Sequence, residues 1–419
     1  MKVLPALAAS AAAAVLLALP AQGGEGTSRY IVVLRPGADP QAVASEHARR
    51  LGLEVGHVYR AALRGYSAVV PDGRVAELRA DPAVALLSPD GEVRALAQTL
   101  PTGVDRIEAD QSSARSGDGA GAKGAAVAVI DTGIDPGHPD LNVAGGVNCS
   151  TGRSYADGNG HGTHVAGTIG ARDDGAGVVG VAPGAPLYAV RVLNNAGSGT
   201  FADVICGVDW VTANATRLGI KVANMSLGGS GSDGSCGSDA LHLAICNSVA
   251  AGITYVVAAG NSAADFAGFV PAAYDQVLTV TAMADFDGRP GGAAAPTCRT
   301  DVDDTAADFS NFTTAGSADA GHTIAGPGVC ILSTWRKGGY ATLSGTSMAT
   351  PHVAGTASLC LAGPCAGLTP SQVMAKLRDD AAAQPDGYGF LGDPNDPLST
   401  GGRTPTTLYY GHLAHAGGY

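Results

Sequence analysis

Three residue types that together perform nucleophilic catalysis occur in three short glycine-containing blocks of the chain. Asp131 ends the apolar run 125–130, His161 opens the segment 161–167, and Ser347 lies in the segment 345–352 at the start of a predicted helix. A serine hydroxyl becomes a nucleophile when a histidine takes its proton, and an aspartate holds that imidazole in the required tautomer. The chain order Asp, His, Ser therefore predicts a nucleophilic triad and acyl-transfer chemistry.

Each of these residues also has an ordinary structural interpretation. A serine at the start of a helix is usually an N-cap, and an aspartate after a strand is usually a turn residue. His161 and His164 could bind a metal ion, but zinc-binding helices more often carry His-Glu-x-x-His, and no nearby carboxylate or cysteine in the sequence completes a zinc site. Taken singly, the ordinary interpretations are favoured. Taken together and in this order, the three residues favour the triad.

Four sequence blocks carry a resemblance to a known family. They are Asp-Thr-Gly-Ile-Asp at 131–135, His-Gly-Thr-His-Val-Ala-Gly at 161–167, Ala-Ala-Gly-Asn at 258–261 and Gly-Thr-Ser-Met-Ala at 345–349. In these blocks the chain resembles the subtilisin-family serine proteases, and the similarity spans residues 97–395. The resemblance implies a serine endopeptidase in which His161 is the general base and His164 is a buried structural residue.

The resemblance also implies an oxyanion site. Asn261 would donate an amide N–H to the negative oxygen that develops during acyl transfer, together with the backbone N–H of Ser347, which a helix start leaves without an intrahelical acceptor. The alternative for an asparagine after Gly260 is an ordinary turn residue. The match to Ala-Ala-Gly-Asn outweighs that alternative.

A substrate-binding strand and a first side-chain pocket follow from the same resemblance. A peptide would add to the strand edge at 226–229, and the pocket would be framed by 226–228 and 258–260. These positions are uncharged, so we expect a hydrophobic residue before the scissile bond. The predicted substrate-binding residues are Ser226, Leu227, Gly228, Gly229, Ala258, Ala259 and Gly260.

Two other functions compete with the endopeptidase. A catalytically silent relative would serve as a binding or scaffold protein, but the triad and the oxyanion asparagine are all present. An esterase of another class would carry Gly-x-Ser-x-Gly and the order Ser, Asp, His, whereas here the nucleophile comes last, in Gly-Thr-Ser-Met-Ala.

Residues 24–96 are predicted to form a small α+β propeptide domain. Strands are expected at 30–34, 66–70 and 83–87, with helices at 40–51 and 75–80 between them. This order resembles the inhibitor-type propeptide of the family, and an unrelated N-terminal domain is the alternative. Because Ala97 and Gln98 resemble a mature N-terminus, we expect self-cleavage between Leu96 and Ala97.

The catalytic domain is predicted at 97–395 as an α/β fold, a doubly wound parallel sheet with helices on both faces. Strands are expected at 125–130, 186–193, 221–225, 253–258 and 277–282, and helices at 161–170, 201–218, 239–251 and 347–361. Asp131 and Asn261 directly follow strands, and ligands of such folds bind at the carboxyl ends of strands. We expect 286–308 to be a surface insertion and 396–419 a C-terminal surface tail.

Export is predicted from the N-terminal segment and from the cysteines. Lys2 precedes the apolar run 6–19, which is too short to span a bilayer comfortably, and small residues at 21–23 offer a cleavage site, so 1–23 is interpreted as a signal peptide. No later run is long and apolar enough to cross a membrane. The eight cysteines are even in number and suit disulfides of a secreted, extracellular protein.

The sequence leaves the cysteine pairing open. The resemblance implies the pair Cys298–Cys330. Proximity suggests Cys236–Cys246 and Cys360–Cys365, which leaves Cys149 for Cys206.

The net charge limits the partners. The chain carries 25 Lys and Arg against 37 Asp and Glu, a formal charge of −12, which argues against nucleic acid and anionic membranes. We expect a monomer whose partners are polypeptide substrates and its own propeptide, acting as an intramolecular inhibitor.

A structural calcium site is implied by the match of 161–183 to the calcium loop of subtilisins. About six oxygen ligands, from side chains and backbone carbonyls, suit a hard cation. An acidic surface loop without metal is the alternative. A second, weaker site is not expected, because Thr323 stands where relatives often carry an acidic residue. The predicted ligands are the side chains of Gln98, Asp140 and Asp174 and the backbone carbonyls of Arg172, Ala176 and Val178.

Overall fold

The computed structural model describes residues 26–90, 98–120, 124–385, 387–394 and 407–419. They divide into two compact units between residues 95 and 96. The predicted signal peptide and the predicted cleavage site between Leu96 and Ala97 lie outside the described residues. Of the helices within the described residues, none combines the length and apolarity that a membrane crossing requires.

The first unit is an antiparallel four-stranded sheet with two helices. Its strands lie in the order β2-β3-β1-β4 around a core that includes the fully buried Val32, Tyr66 and Leu78. The edge strand β2 is absent from the sequence prediction, because none of its residues is buried and it carries no clear apolar alternation. The elements are β1 Thr27–Leu34, α1 Pro40–Leu51, β2 Glu54–Tyr59, β3 Gly65–Pro71, α2 Val75–Ala80 and β4 Val84–Pro89.

The second unit is built on an eight-stranded sheet. Seven strands lie in the order β13-β12-β10-β8-β5-β7-β6, and β15 pairs with β12. All pairings are parallel except that of β12 with the short β13. The strands are β5 Ala126–Asp131, β6 Val143–Asn148, β7 Leu187–Arg191, β8 Ile220–Met225, β10 Thr254–Ala258, β12 Leu278–Ala284, β13 Thr305–Ala306 and β15 Thr323–Pro327.

Helices cover both faces of this sheet, which confirms the predicted doubly wound α/β fold. On β5, Val127 and Val129 join the core beneath α4 and α7, while Ala128 and Ile130 join the core beneath α5 and α6. Successive side chains of a strand point to opposite faces, so a strand buried on both sides appears as a continuous apolar run. The helices are α3 Thr102–Arg106, α4 His161–Gly170, α5 Phe201–Leu218, α6 Ala240–Ala250, α7 Thr346–Ala362 and α8 Pro370–Ala382.

Small ribbons and disulfides complete the second unit. The ribbons pair β9 Gly229–Ser230 with β11 Phe269–Val270, β14 Thr313–Thr314 with β18 Leu408–Tyr409, and β16 Ile331–Trp335 with β17 Gly339–Leu343. All four predicted disulfides are present: Cys149–Cys206, Cys236–Cys246, Cys298–Cys330 and Cys360–Cys365.

The expectation of a surface tail at 396–419 is wrong for residues 407–419. Leu413, Ala414 and Ala416 are buried in the core beneath α7 and α8. The phenol of Tyr419 donates to Asp380 of α8 at 2.5 Å. The glycines and prolines upstream suggested irregular chain, but the apolar residues that follow them bury enough surface to hold the segment in place.

The expectation of a surface insertion at 286–308 is also wrong for its acidic end. Asp303 and Asp304 are buried: Asp303 accepts the backbone N–H groups of Phe286 and Ala294, and the fully buried guanidinium of Arg106 lies beside Asp304. Arg106 is 2.9 Å from Asp304 and 3.4 Å from Asp285. Burial raises the pKa of Asp285 to about 7, although Arg106 opposes that shift.

Candidate active site

Asp131 lies at the carboxyl end of β5, between β7 and β8 in the middle of the sheet. Its side chain is fully buried. One carboxylate oxygen, Oδ1, accepts hydrogen bonds from the backbone N–H of Thr132 at 2.7 Å and from Nδ1 of His161 at 2.8 Å. This contact fixes the imidazole so that its other nitrogen, Nε2, is left for proton transfer.

His161 is the first residue of α4, and a second aspartate holds the turn that leads to it. Oδ1 of Asp157 accepts the backbone N–H groups of Asn159 and Gly160 at 2.8 Å and the hydroxyl of Thr132 at 2.9 Å. Asp157 thereby connects the loop before His161 to the residue after Asp131. The sequence analysis did not identify Asp157, since a lone aspartate in a glycine-rich turn carries no distinguishing pattern.

The electrostatic surroundings of His161 favour its charged form. Burial alone would lower the pKa of this imidazole, but the charge of Asp131, the hydrogen bond to it and the charge of Asp157 together raise the pKa above its ordinary value. About a quarter of the side chain is exposed, so a substrate can reach it. His164, one turn later, is fully buried with its pKa lowered to about 3 by burial, as expected of a structural residue.

Ser347 is the second residue of α7, so its backbone N–H belongs to the first turn and has no intrahelical acceptor. Its hydroxyl donates to the backbone carbonyl of Ser226 at 3.2 Å. No hydrogen bond joins Ser347 to His161 within the described part of the chain. Such contacts are often long without substrate and shorten when it binds.

Asn261 lies beside Ser347 in a fixed orientation. Its Oδ1 accepts both the backbone N–H and the hydroxyl of Thr346, at 2.8 and 2.9 Å, which leaves Nδ2 available as a donor. Gly260 has φ of 107°, and a side chain there would collide with the amide of Asn311. The turn before Asn261 therefore requires glycine.

Asn311 is a buried support for this turn that the sequence analysis missed. Its Oδ1 accepts the backbone N–H of Ser262 at 2.8 Å, and its Nδ2 donates to the carbonyl of Ala259 at 2.9 Å. These contacts join positions 49 and 52 residues apart. A separation of that size gives no signal in the local sequence.

Two neighbouring depressions form a cleft across the site. One, of about 400 Å³, contains His161 and Ser226 and extends to Phe201 and Leu241. The other, of about 220 Å³, contains Ser347 and Asn261. Leu227 and Gly228 line both.

The smaller depression matches the predicted first pocket in part. Of the predicted residues it contains Leu227, Gly228, Ala258, Ala259 and Gly260. Ser226 lines the larger depression, and Gly229 belongs to β9. The sequence analysis missed three further lining residues, which the pairing of β9 with β11 brings to the pocket: Phe269, Val270 and Ala272.

Comparison with known proteins identifies the family. The model of the subtilase family matches residues 122–411, more than half of the chain. The chain belongs to the subtilase family. It is 42% identical to subtilisin DY of Bacillus licheniformis over 299 residues, 70% of this chain and 96% of that protein. It is 38% identical to the extracellular serine proteinase of Thermus sp. strain Rt41A over 416 residues, 91% of this chain and 89% of that protein.

A solved structure agrees with this assignment. The crystal structure of a cold adapted subtilisin-like serine proteinase matches 76% of this chain and 98% of its own, with a TM-score of 0.56 and 33% identity. The chain is thus a subtilisin-type serine endopeptidase, and this class of subtilase uses an Asp/His/Ser triad.

Subtilases commonly bind structural calcium, and the residues present here suit that ion. Nε2 of Gln98 lies 2.5 Å from the carbonyl oxygen of Arg172 and 3.0 Å from that of Val178, so these two carbonyls already converge on one donor. Oδ1 of Asp140 is buried without a hydrogen-bond partner among the described residues. Burial and the neighbouring charge of Asp174 raise the pKa of Asp140, a strain that a cation would relieve.

The other predicted ligands lie at the edge of this group. Asp174 is exposed, and its Oδ1 accepts the backbone N–H of Ala176 at 3.2 Å. Asp173 instead accepts the backbone N–H of Gly117 at 2.8 Å. The carbonyls of Arg172 and Val178 thus face one side chain, and Asp140 accepts the backbone N–H of Val178 at 3.0 Å, while Asp174 and Ala176 form the outer turn of the loop.

The raised pKa of His161 gives a testable pH dependence. A general base must be neutral, so the acid limb of kcat/KM should lie above pH about 6.5, the ordinary value for histidine. Asp131→Asn should move this limb to lower pH and reduce kcat by about 10⁴-fold, the size known for this substitution in another serine protease. Profiles from pH 5 to 9 on a soluble peptide would measure both effects.

Asp209→Asn is the matched control, since Asp209 is an exposed carboxylate on α5. Its acid limb should stay with that of the unchanged enzyme. Equal limbs in Asp131→Asn and the unchanged enzyme would contradict the electrostatic role of Asp131.

Proposed function

We propose that this subtilase is a secreted endopeptidase that cleaves peptide bonds through an acyl-enzyme on Ser347. The observation that carries the proposal is the hydrogen bond of 2.8 Å between Asp131 and His161, in a cleft that continues to Ser347 and Asn261. His161 takes the hydroxyl proton as Ser347 attacks the carbonyl carbon. It then gives that proton to the leaving amine, and water repeats the two steps to release the acid product.

Asn261 and the backbone N–H of Ser347 are assigned to the oxyanion. Both donors are fixed before substrate arrives, Asn261 by Thr346 and Ser347 by its position in α7. Preorganised donors of this kind do not have to reorient during the reaction. Losing the asparagine donor should cost about 10²–10³ in kcat, the range measured when the equivalent donor is removed from a subtilisin.

The site favours a protease over the two competing functions. A silent relative would have no use for a buried aspartate held against a histidine at 2.8 Å, since that contact orients a base. An esterase could use the same triad, but the predicted strand edge at 226–229 and the cleft that runs past it suit an extended chain.

The first pocket is assigned to a hydrophobic residue before the scissile bond. Its lining contains no charged residue, and the side chain of Phe269 is the largest in it. An apolar substrate side chain gains free energy by leaving water there, whereas a charged one would lose its hydration without a partner.

Phe269→Ala should enlarge this pocket and shift its preference. We expect kcat/KM for a peptide with Phe before the scissile bond to rise about tenfold relative to one with Ala. The measurement is the ratio of kcat/KM for matched peptides that differ at this position. Phe201→Ala, in the neighbouring depression, is the control and should leave that ratio unchanged. An unchanged ratio in Phe269→Ala would remove Phe269 from the specificity pocket.

The first unit is assigned as a propeptide that Ser347 removes. The similarity to the Thermus extracellular proteinase spans 91% of this chain, so it includes part of this unit as well as the catalytic one. A segment that binds the native enzyme and not the unfolded chain favours folding and blocks the cleft until it is cut away. The apolar Leu96 at the predicted junction agrees with the uncharged pocket, and the signal peptide predicted at 1–23 and the name of the Thermus extracellular proteinase support secretion.

Intact-mass analysis of Ser347→Ala beside the unchanged chain tests both activity and junction. We expect the unchanged chain to begin at Ala97 and the variant to keep its propeptide, because no other residue can form the acyl-enzyme. Ser344→Ala, three residues earlier, is a control that should process normally. Normal processing of Ser347→Ala would show that another protease makes the cut.

Calcium is assigned to the loop around Gln98, Asp140 and Val178. There it would bind Oδ1 of Asp140, a buried carboxylate oxygen that has no hydrogen-bond partner among the described residues. Removing calcium with a chelator should lower the melting temperature of Ser347→Ala, which cannot digest itself, by about 3–5 °C for a site filled at about a hundred times its Kd. Calorimetry with and without chelator would measure the shift.

Asp140→Asn in the same background should lose most of that calcium-dependent shift, and Asp209→Asn should keep it. The calcium assignment would be wrong if chelation left the melting temperature unchanged, or if it lowered the melting temperature of Asp140→Asn by the full amount.

A further inference from the structure

Three potential metal ligands face one another on the second unit, apart from the catalytic cleft. Nε2 of His322 lies 3.5 Å from a carboxylate oxygen of Asp319 and 3.8 Å from one of Asp275. The three candidate ligand atoms are all within 4.8 Å of one another. Asp319 and His322 belong to a single turn of 3₁₀ helix before β15, and Asp275 lies 44 residues earlier, before β12.

The imidazole of His322 is buried without a hydrogen bond. Its side chain is 4% exposed, and neither ring nitrogen has a hydrogen-bond partner among the residues that the structure describes. The ring contacts the edge of Phe266 on one side. An unsatisfied buried polar atom costs about 1–3 kcal/mol, so Nε2 of His322 is a donor or acceptor that lacks its partner.

The two carboxylates do not supply that partner. Separations of 3.5 and 3.8 Å are longer than a hydrogen bond. An imidazole nitrogen and carboxylate oxygens are the ligand types that zinc accepts in proteins.

A cleft of about 470 Å³ is lined by two of the three residues, Asp275 and His322. Asp275 is 55% exposed on its side chain, so it can turn towards an incoming ion. Arg378 lines the same cleft, but its Nε and Nη2 donate to the carbonyls of Thr323 and Ala320 at 3.1 and 2.9 Å. Its donors hold the turn in place and do not reach between the ligands.

We propose that Asp275, Asp319 and His322 bind a divalent transition-metal ion of the Zn²⁺ type. Zinc bonds of about 2.0–2.2 Å in tetrahedral geometry separate ligand atoms by about 3.4 Å, close to the two distances observed. Water from the cleft would occupy the fourth position. The imidazole ligand selects zinc over calcium and magnesium, which prefer oxygen.

Thr323, the residue after His322, is not one of the proposed ligands. Its hydroxyl donates to the carbonyl of Asp319 at 2.6 Å, and its own carbonyl accepts from Arg378. The proposed ion would join the turn before β15 to Asp275. Asp275 lies three residues after Ala272, which lines the first substrate pocket.

Zinc titration of the full-length, tag-free Ser347→Ala chain tests the site. Calcium is kept in excess so that its own site stays filled, and ZnCl₂ binding is measured by isothermal titration calorimetry. We expect one equivalent of zinc to bind the parent, and this binding to weaken by about tenfold or more in both Asp275→Asn and His322→Gln. Asp379→Asn, an exposed carboxylate on α8 near Arg378, is the matched control and should bind as the parent does.

Other groups could also take up zinc, including Glu46, His47 and Asp81 in the first unit. The variants separate these possibilities, since only binding at the proposed site depends on Asp275 and His322. No zinc binding in the parent, or equal binding in the parent and both variants, overturns the proposal. If His322→Gln fails to fold, the exposed Asp275→Asn still decides the result.

Discussion

The hydrogen bond between the buried carboxylate of Asp131 and the imidazole of His161 is the interaction on which the catalytic unit depends. A carboxylate taken out of water is costly unless its charge is met by donors. Here the donors are the N–H of Thr132 and Nδ1 of His161, and Asp157 fixes the positions of both residues. The sheet fixes the position of Asp131 itself, since β5 ends at this residue and helices pack on both faces of the sheet.

The parts of the site that the sequence predicted are those with a local pattern. Asp131 follows a continuous apolar run, and α4 and α7 begin within one residue of the positions expected from His161 and Ser347. In these blocks the backbone geometry requires glycine at a fixed spacing from the reactive side chain. Local propensity, burial and chemistry then agree, and such agreement makes the structure predictable from the sequence.

The parts that sequence reasoning missed depend on long-range contacts. Asn311 supports the turn of Asn261 from 50 residues away in the chain. Phe269 reaches the first pocket because β11 pairs with β9, about forty residues earlier in the chain. Composition predicts a surface tail at 407–419, because it describes the residues of the segment and not the core residues against which they pack. Sequence order carries little information about any of these contacts. The role of each residue becomes apparent only when its neighbour in the fold is known.

The corner around Arg106 has a consequence for the behaviour of the fold in alkaline water. Three carboxyl groups, Asp285, Asp303 and Asp304, are buried in the same corner as one guanidinium, so two negative charges would be in excess if all three were ionised. The raised pKa of Asp285, about 7 against an ordinary 3.8, means that folding takes up a proton at this residue between those two values. The stability gained from that proton is complete below the lower value and is lost as pH rises through the upper one. This corner therefore releases a proton as the solution becomes alkaline, and the stabilisation that Asp285 gives to the attachment of the loop 286–304 is lost with it.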